Sequence, residues 1–288
     1  MRRRVPAALL ALALLSLGSS GCDGSPLADV QATAFPRDTP VAQAALARFD
    51  VDHKRILRGT PDVHGVLGDS PIDIRIGETR RFQSPDPDIR YAPFPLARVK
   101  HTGDNLKVYA SGDSHITIGG KRYDLAQFHF HRSSEHAIQG RRAPMEVHLV
   151  HVASDGAIAV IGSMIERGPA SRALQVVWDL APSSPSEVSS TAMFDPRQLL
   201  PGPGTPYFTY SGSLTTPPFT NGLTWIVQQQ PIRLSAEQLR AYAHLFEEED
   251  ARALQPLGER TVYERVGGMA LLQGGRGRVG TAAVMRRR

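Results

Sequence analysis

Hydrophobic and polar positions alternate along much of the chain from residue 70 onward, the period-two signature of strands with one buried face. Ile72, Ile74 and Ile76 alternate with Asp73 and Arg75. Residues 99–110 break at a Gly103-Asp104-Asn105 turn and resume with Leu106, Val108 and Ala110, and Ile116 and Ile118 precede a Gly119-Gly120 turn. Alternation returns over 123–131, 146–152 and 158–165, and 224–228 reads as a further apolar strand. Helical signals are few. Residues 171–180 are one candidate, and 235–247 are better marked: Ser235 can cap, and Gln238 three positions on completes a capping box. Short strands with Gly/Pro turns through about 200 residues predict a mainly β (α+β) fold. The expected form is a single domain on a large twisted, mostly antiparallel sheet with few peripheral helices.

The ends of the chain read differently. Arg2, Arg3 and Arg4, an apolar run over 5–15 and small residues to Gly21 form a charged, apolar and small-residue series that describes a secretory signal over 1–21. Cys22, the one cysteine, follows directly and resembles the lipid-bearing first residue of a mature bacterial lipoprotein; alone, it forms no intrachain disulfide. The expected protein is exported: periplasmic or at the cell surface and membrane-anchored through lipidated Cys22, or secreted if an ordinary signal peptidase cleaves nearby. Residues 22–60 read as a tether and N-terminal extension with a candidate helix over 41–57, residues 61–266 as the folded domain, and 267–288 as a disordered basic tail.

Composition is that of a globular chain, 41% hydrophobic and 21% charged over 288 residues. The formal charge of +5 is a property of the ends. Taking the eight arginines of 1–21 and 267–288 from the 33 basic residues leaves 25 against 28 acidic ones, a body of −3. A nucleic-acid partner is therefore not expected.

The chemistry concentrates at QFHFH, residues 127–131. On a strand, Gln127, His129 and His131 share one face, and Phe128 and Phe130 the other. Two imidazoles two residues apart can grip one metal ion. The next strand places Glu146, His148 and Val150 on one face, so pairing of the two strands would let His148 complete a His₃ set. Three neutral nitrogens leave a fourth tetrahedral position open, as in catalytic zinc sites. Gln127 and Glu146 could orient ligand imidazoles. His136 and His151 are also nearby, and spacing alone does not choose the third ligand.

The segments QFHFHRSSEH (127–136) and PMEVHLVH (144–151) resemble the zinc strands of α-type carbonic anhydrases in their bacterial, exported form. SPIDI (70–74), FDPR (194–197), LLP (199–201), YSGSLTTPP (210–218), TWIV (224–227) and QPL (255–257) match in the same order. The resemblance implies a zinc lyase for reversible hydration of CO2 to bicarbonate and a proton, in which zinc-bound hydroxide attacks CO2 held in an apolar pocket. It assigns Zn2+ to His129, His131 and His148, with Gln127 and Glu146 supporting them and His136 and His151 structural. It makes Thr215 and Glu135 a gatekeeping pair and gives Thr216 a part in bicarbonate binding. Val150, Val160, Leu214, Leu223 and Trp225 become the CO2 wall. Asp104 stands where fast animal enzymes carry a shuttle histidine, which leaves Asp104 itself, His101 or another exposed histidine as candidate proton relays. A catalytically inactive surface binding module and a zinc esterase are the alternative functions.

Overall fold

The computed structural model describes residues 68–82, 86–246 and 248–266. The leader, Cys22, the tether with its candidate helix over 41–57, and the basic tail lie outside the described residues.

Seven strands position the site: β1 (Val99–His101), β2 (Leu106–Tyr109), β3 (Lys121–Arg132), β4 (Met145–Val152), β5 (Ile158–Arg167), β6 (Tyr207–Ser213) and β7 (Asn221–Gln228). The main sheet runs from an edge strand, Ser186–Val188, through β1-β2-β3-β4-β5-β7-β6 to Tyr263–Arg265 and Arg80–Arg81. Antiparallel pairing dominates. Parallel pairing enters where β5 meets β7, where Ile232–Leu234 adds to β5, and at the Arg80–Arg81 edge. The expected sheet is thus present, with mixed pairing at one side.

Alternation along β3, β4 and β5 sorts the side chains into two buried clusters. One holds Phe128, Phe130, Val147, Leu149 and Ile161, covered by two helices, α1 (Arg172–Asp179) and α2 (Ala236–Leu245), through Val177, Trp178 and Tyr242. The other holds Val150, Val160, Tyr210, Leu214, Leu223 and Trp225. Both helix starts are capped as the sequence suggests, by Ser171 and by the Ser235–Gln238 box. Gln238 also binds the Ser171 backbone, its Oε1 accepting at 2.9 Å and its Nε2 donating at 2.7 Å, so one side chain ties the two helices together.

Two details differ from the sequence pattern. The alternation of Ile72, Ile74 and Ile76 yields a strand only over Asp73–Ile74; Ile76 opens a 3-10 turn and is 44% exposed. The strand β6 carries Ser, Gly and Thr among its aromatics, so its strand character is hidden from periodicity. Among the described residues, no helix is long and apolar enough to cross a membrane.

Candidate metal centre

Pairing of β3 with β4 sets His148 opposite His129 and Glu146 opposite His131. Directly opposed residues of an antiparallel pair project from the same face. The three rings therefore converge, with centroid separations of 4.9 Å (129–131), 5.3 Å (129–148) and 4.7 Å (131–148). One nitrogen of each lies within 4.8 Å of the others, and the rings are only 6%, 0% and 1% exposed.

The second nitrogen of each ring faces an oxygen. His129 Nδ1 is 2.9 Å from Gln127 Oε1, His148 Nε2 is 3.1 Å from Glu146 Oε1, and His131 Nδ1 is 3.0 Å from Asp250 Oδ2. Such outer partners fix an imidazole's tautomer and aim its remaining nitrogen. The donor set thus suits a divalent ion taking three neutral nitrogens.

The neighbouring histidines are placed elsewhere. His151 points into the helix-covered core, where Nδ1 donates to Ala159 O and Nε2 accepts from Tyr91 OH at 2.7 Å. Burial pushes it down to about 3. His136 bends back toward the site as a support. Its backbone N–H and Nδ1 donate to Glu146 at 2.9 and 2.8 Å, and its Nε2 accepts from Tyr210 OH at 2.7 Å. Ser70 Oγ lies 2.8 Å from the same Tyr210 oxygen, so a buried chain runs from Ser70 through Tyr210, His136 and Glu146 to His148. Gly162, opposite His148 on β5, leaves room for this: a Cβ there would stand 2.7 Å from Glu146 Oε1.

Glu135 is buried beside the imidazoles, its Oε2 3.5 Å from His131 Nε2. Burial alone would raise its pKa. Attraction to His131 and His148, the Thr215 hydroxyl and the Arg252 N–H outweigh that and lower it. Arg252 is itself anchored on Asp69 at 3.0 Å and on Ser70 O at 2.7 Å. Burial pushes His131 down, but Glu135 and Asp250 overcome this and lift it to about 9. Glu146 resists burial and is lowered well below the usual carboxylate range by His136 and His148.

The structure brings Val150, Val160, Leu214, Leu223 and Trp225 into one apolar cluster, with Thr215 and Thr216 buried in the turn after β6. The relay candidates are not where an exposed group would be. His101 is only 4% exposed, packed on Phe246 at 4.4 Å, with Nδ1 accepting from Gly103 N. Asp104 is buried and accepts from the Thr102 hydroxyl. His244 is the exposed histidine among the described residues. A separate group, Asp113, His115 and Asp124, is bridged by the Arg122 guanidinium, which bonds both carboxylates. Sequence reasoning missed Asp250, Arg252 and Tyr210. They reach the site from segments 118, 117 and 74 residues away from Arg132, Glu135 and His136 respectively, and no local spacing marks them.

A large sheet whose paired central strands converge three imidazoles beneath an apolar wall defines a class of protein, and comparison with known sequences names it. The profile of the eukaryotic-type carbonic anhydrases matches residues 63–266. Carbonic anhydrase from Nostoc sp. is 34% identical over 202 residues, covering 68% of this chain and 75% of that one. The Klebsiella pneumoniae enzyme is 35% identical over 199 residues, covering 69% and 80%. Among solved structures, α-carbonic anhydrase from Thermovibrio ammonificans in complex with sulfanilamide superposes with a TM-score of 0.66 at 35% identity, covering 70% of this chain and 88% of that one. The chain belongs to the carbonic anhydrase family, enzymes of CO2 hydration.

Proposed function

We propose that this enzyme hydrates CO2 reversibly with one zinc ion held by His129, His131 and His148. The observation that carries the reading is the register of β3 on β4, which opposes His129 to His148 and leaves an outer oxygen partner for each imidazole. Zinc bound there would supply Lewis acidity, lowering the pKa of bound water to about 7, a value known from carbonic anhydrase itself.

The chain's own residues would do the rest. Gln127 and Glu146 accept the outer N–H of His129 and His148 and present their inner nitrogens. Glu135, held ionised by its surroundings, accepts the Thr215 proton. The Thr215 oxygen can then only accept, so it favours a proton-bearing ligand on the open side of the ion. Val150, Val160, Leu214, Leu223 and Trp225 exclude water and offer CO2 an apolar seat, and Thr216 helps to hold bicarbonate. With Asp104 and His101 buried, protons leave slowly, and added imidazole buffer is expected to raise the rate at saturating CO2; a rate indifferent to it would contradict this.

Export, with Cys22 carrying lipid, 61–266 as the catalytic domain and 267–288 as a basic tail, belongs to the same proposal. It rests on the leader sequence, and mass spectrometry of the mature N-terminus tests it.

The test of function is stopped-flow CO2 hydration before and after chelation. Activity that falls on chelation, returns with zinc and is blocked by a primary sulfonamide supports the reading. Activity untouched by thorough removal of metal would defeat it.

A further inference from the structure

On the face that carries the imidazoles, the side of β3 away from the apolar wall is cationic. β2 pairs with β3 so that Lys107 stands opposite His129 and Tyr109 opposite Gln127. Opposed residues of an antiparallel pair share a face, while Leu106 and Val108, on the other face of β2, lie in the helix-covered core. One row across the sheet therefore reads Lys107, His129, His148. The proposed centre has a lysine on its β2 side, and Val150, Val160 and Trp225 stand on the side of β4, β5 and β7.

Two observations mark this flank. Lys107 is only 2% exposed, and toward β1 it stands opposite a second lysine, Lys100. Burying an ammonium is costly, and like charges directly opposed on a sheet are destabilising. Sheet stability does not account for a lysine here, and residues that break such rules gather at functional positions. Arg98 adds a third cation, its guanidinium 3.8 Å from the Tyr109 ring. Of the acids on this side, Glu187 opposes Lys100 and accepts from Arg98 at 2.9 Å, and Asp104 accepts from the Thr102 hydroxyl. The second observation is Gln127. It is fully buried, and its Oε1 faces His129 Nδ1 at 2.9 Å. Its Nε2 meets no hydrogen-bond acceptor among the described residues. Buried amide N–H groups left in this state call for an acceptor.

Lys107 and Gln127 hold diagonal positions on the β2–β3 ladder, a separation that long side chains can bridge to share one ligand. We propose that the Lys107 ammonium and the Gln127 Nε2 amide form an anion subsite beside the metal centre. Its ligand is a small monovalent oxyanion. Bicarbonate, the product of the reaction, has that chemistry: its charge suits the ammonium, and a further oxygen can accept from the amide. The inference rests on the zinc reading above and deepens it, since the polar flank then holds product while the apolar flank seats CO2.

The experiment compares wild type, Lys107→Met, Lys107→Gln and Lys107→Arg as purified full chains. Equilibrium binding of nitrate and of bicarbonate is read from the visible spectrum of the Co2+-substituted proteins. Product inhibition by bicarbonate is read from CO2 hydration by the zinc-loaded ones. Loss of one charge-assisted hydrogen bond is expected to weaken both anions about 10-fold in Lys107→Met, with product inhibition weakened in proportion. Lys107→Arg keeps the charge and is expected to recover most of that loss. Pyridine, an uncharged donor to the same metal, is expected to bind wild type and variants alike. Should Lys107→Met fail to fold, Lys107→Gln decides by the same readouts. Anion affinities within about twofold of wild type, or an equal loss for pyridine and nitrate, would overturn the proposal and leave Lys107 a residue of the sheet alone. If wild type itself takes up neither cobalt nor zinc, the reading beneath it falls as well.

Discussion

The two faces of β3 alternate residue by residue yet are held in different ways. On one, Phe128 and Phe130 pack among Phe194, Trp178 and Tyr242, with ring centroids 4.8–6.0 Å apart. On the other, His129 and His131 are equally buried, but each nitrogen needs an oriented partner. Packing is non-directional and is met by neighbours of suitable volume. Polar burial is directional, and an unmatched donor or acceptor is penalised. The apolar face is therefore assembled from nearby strands and helices. The polar face recruits single residues from distant segments: Ser70, Tyr210, Asp250 and Arg252.

The sharpest way to break this comparison is His148→Ala. It removes a ligand of the proposed centre while leaving the aromatic face intact. The loss of zinc and of CO2 hydration is expected to exceed the ~100-fold typical for a supporting residue, with a folded circular dichroism spectrum retained. On the other face, Phe130→Ala is expected to lower stability by about 3–5 kcal/mol, measured by urea unfolding, with zinc stoichiometry preserved in the molecules that remain folded. Loss of zinc at wild-type stability would reverse the assignment of the faces.

Gly162→Ala probes the support behind His148. A methyl group would meet Glu146 Oε1, which His136 and His148 hold in place. Zinc affinity is expected to drop roughly 10-fold, a smaller effect than ligand removal. Affinity equal to wild type would show that Glu146 can shift without disturbing His148.

The smallest effect is a pH dependence from the apolar side. His151 is held neutral, its folded pKa pushed to about 3 by burial. Its contribution is complete above its unfolded pKa of about 6.5 and is lost as pH falls toward 3. Between pH 6 and 5 the loss approaches about 1.4 kcal/mol per pH unit. Carboxylates such as Glu146 add their own loss only below about pH 4.5. Zinc-loaded His151→Gln is expected to show a flatter stability curve between pH 6.5 and 5; an unchanged slope would assign it to other groups.

The same contrast explains what the sequence disclosed. Alternation and caps are local, so β3, β4, β5, α1 and α2 were legible to within a few residues, as was the shared face of Gln127, His129 and His131. The choice of His148 over His136 and His151 depended on inter-strand register, which no single segment encodes; it came from resemblance, and β3–β4 pairing sets His148 opposite His129. Ile76 misled because alternation continues one position beyond the strand, into a turn around Gly77. His101 misled because a strand-end histidine before a turn reads as exposed, whereas Phe246 covers it. Asp250 closes an acidic run, EEED at 247–250, that reads as solvated surface. Its carboxylate is buried because of a chain reversal that local sequence does not announce.

The convergence of three imidazoles on a single ion is tested most directly by counting zinc per chain in native mass spectra of wild type and His148→Ala. The account predicts one tightly held zinc in wild type and a protein stripped of it in the variant. Wild type that stays metal-free after equilibration with excess zinc, or a variant that retains a full equivalent, would contradict it.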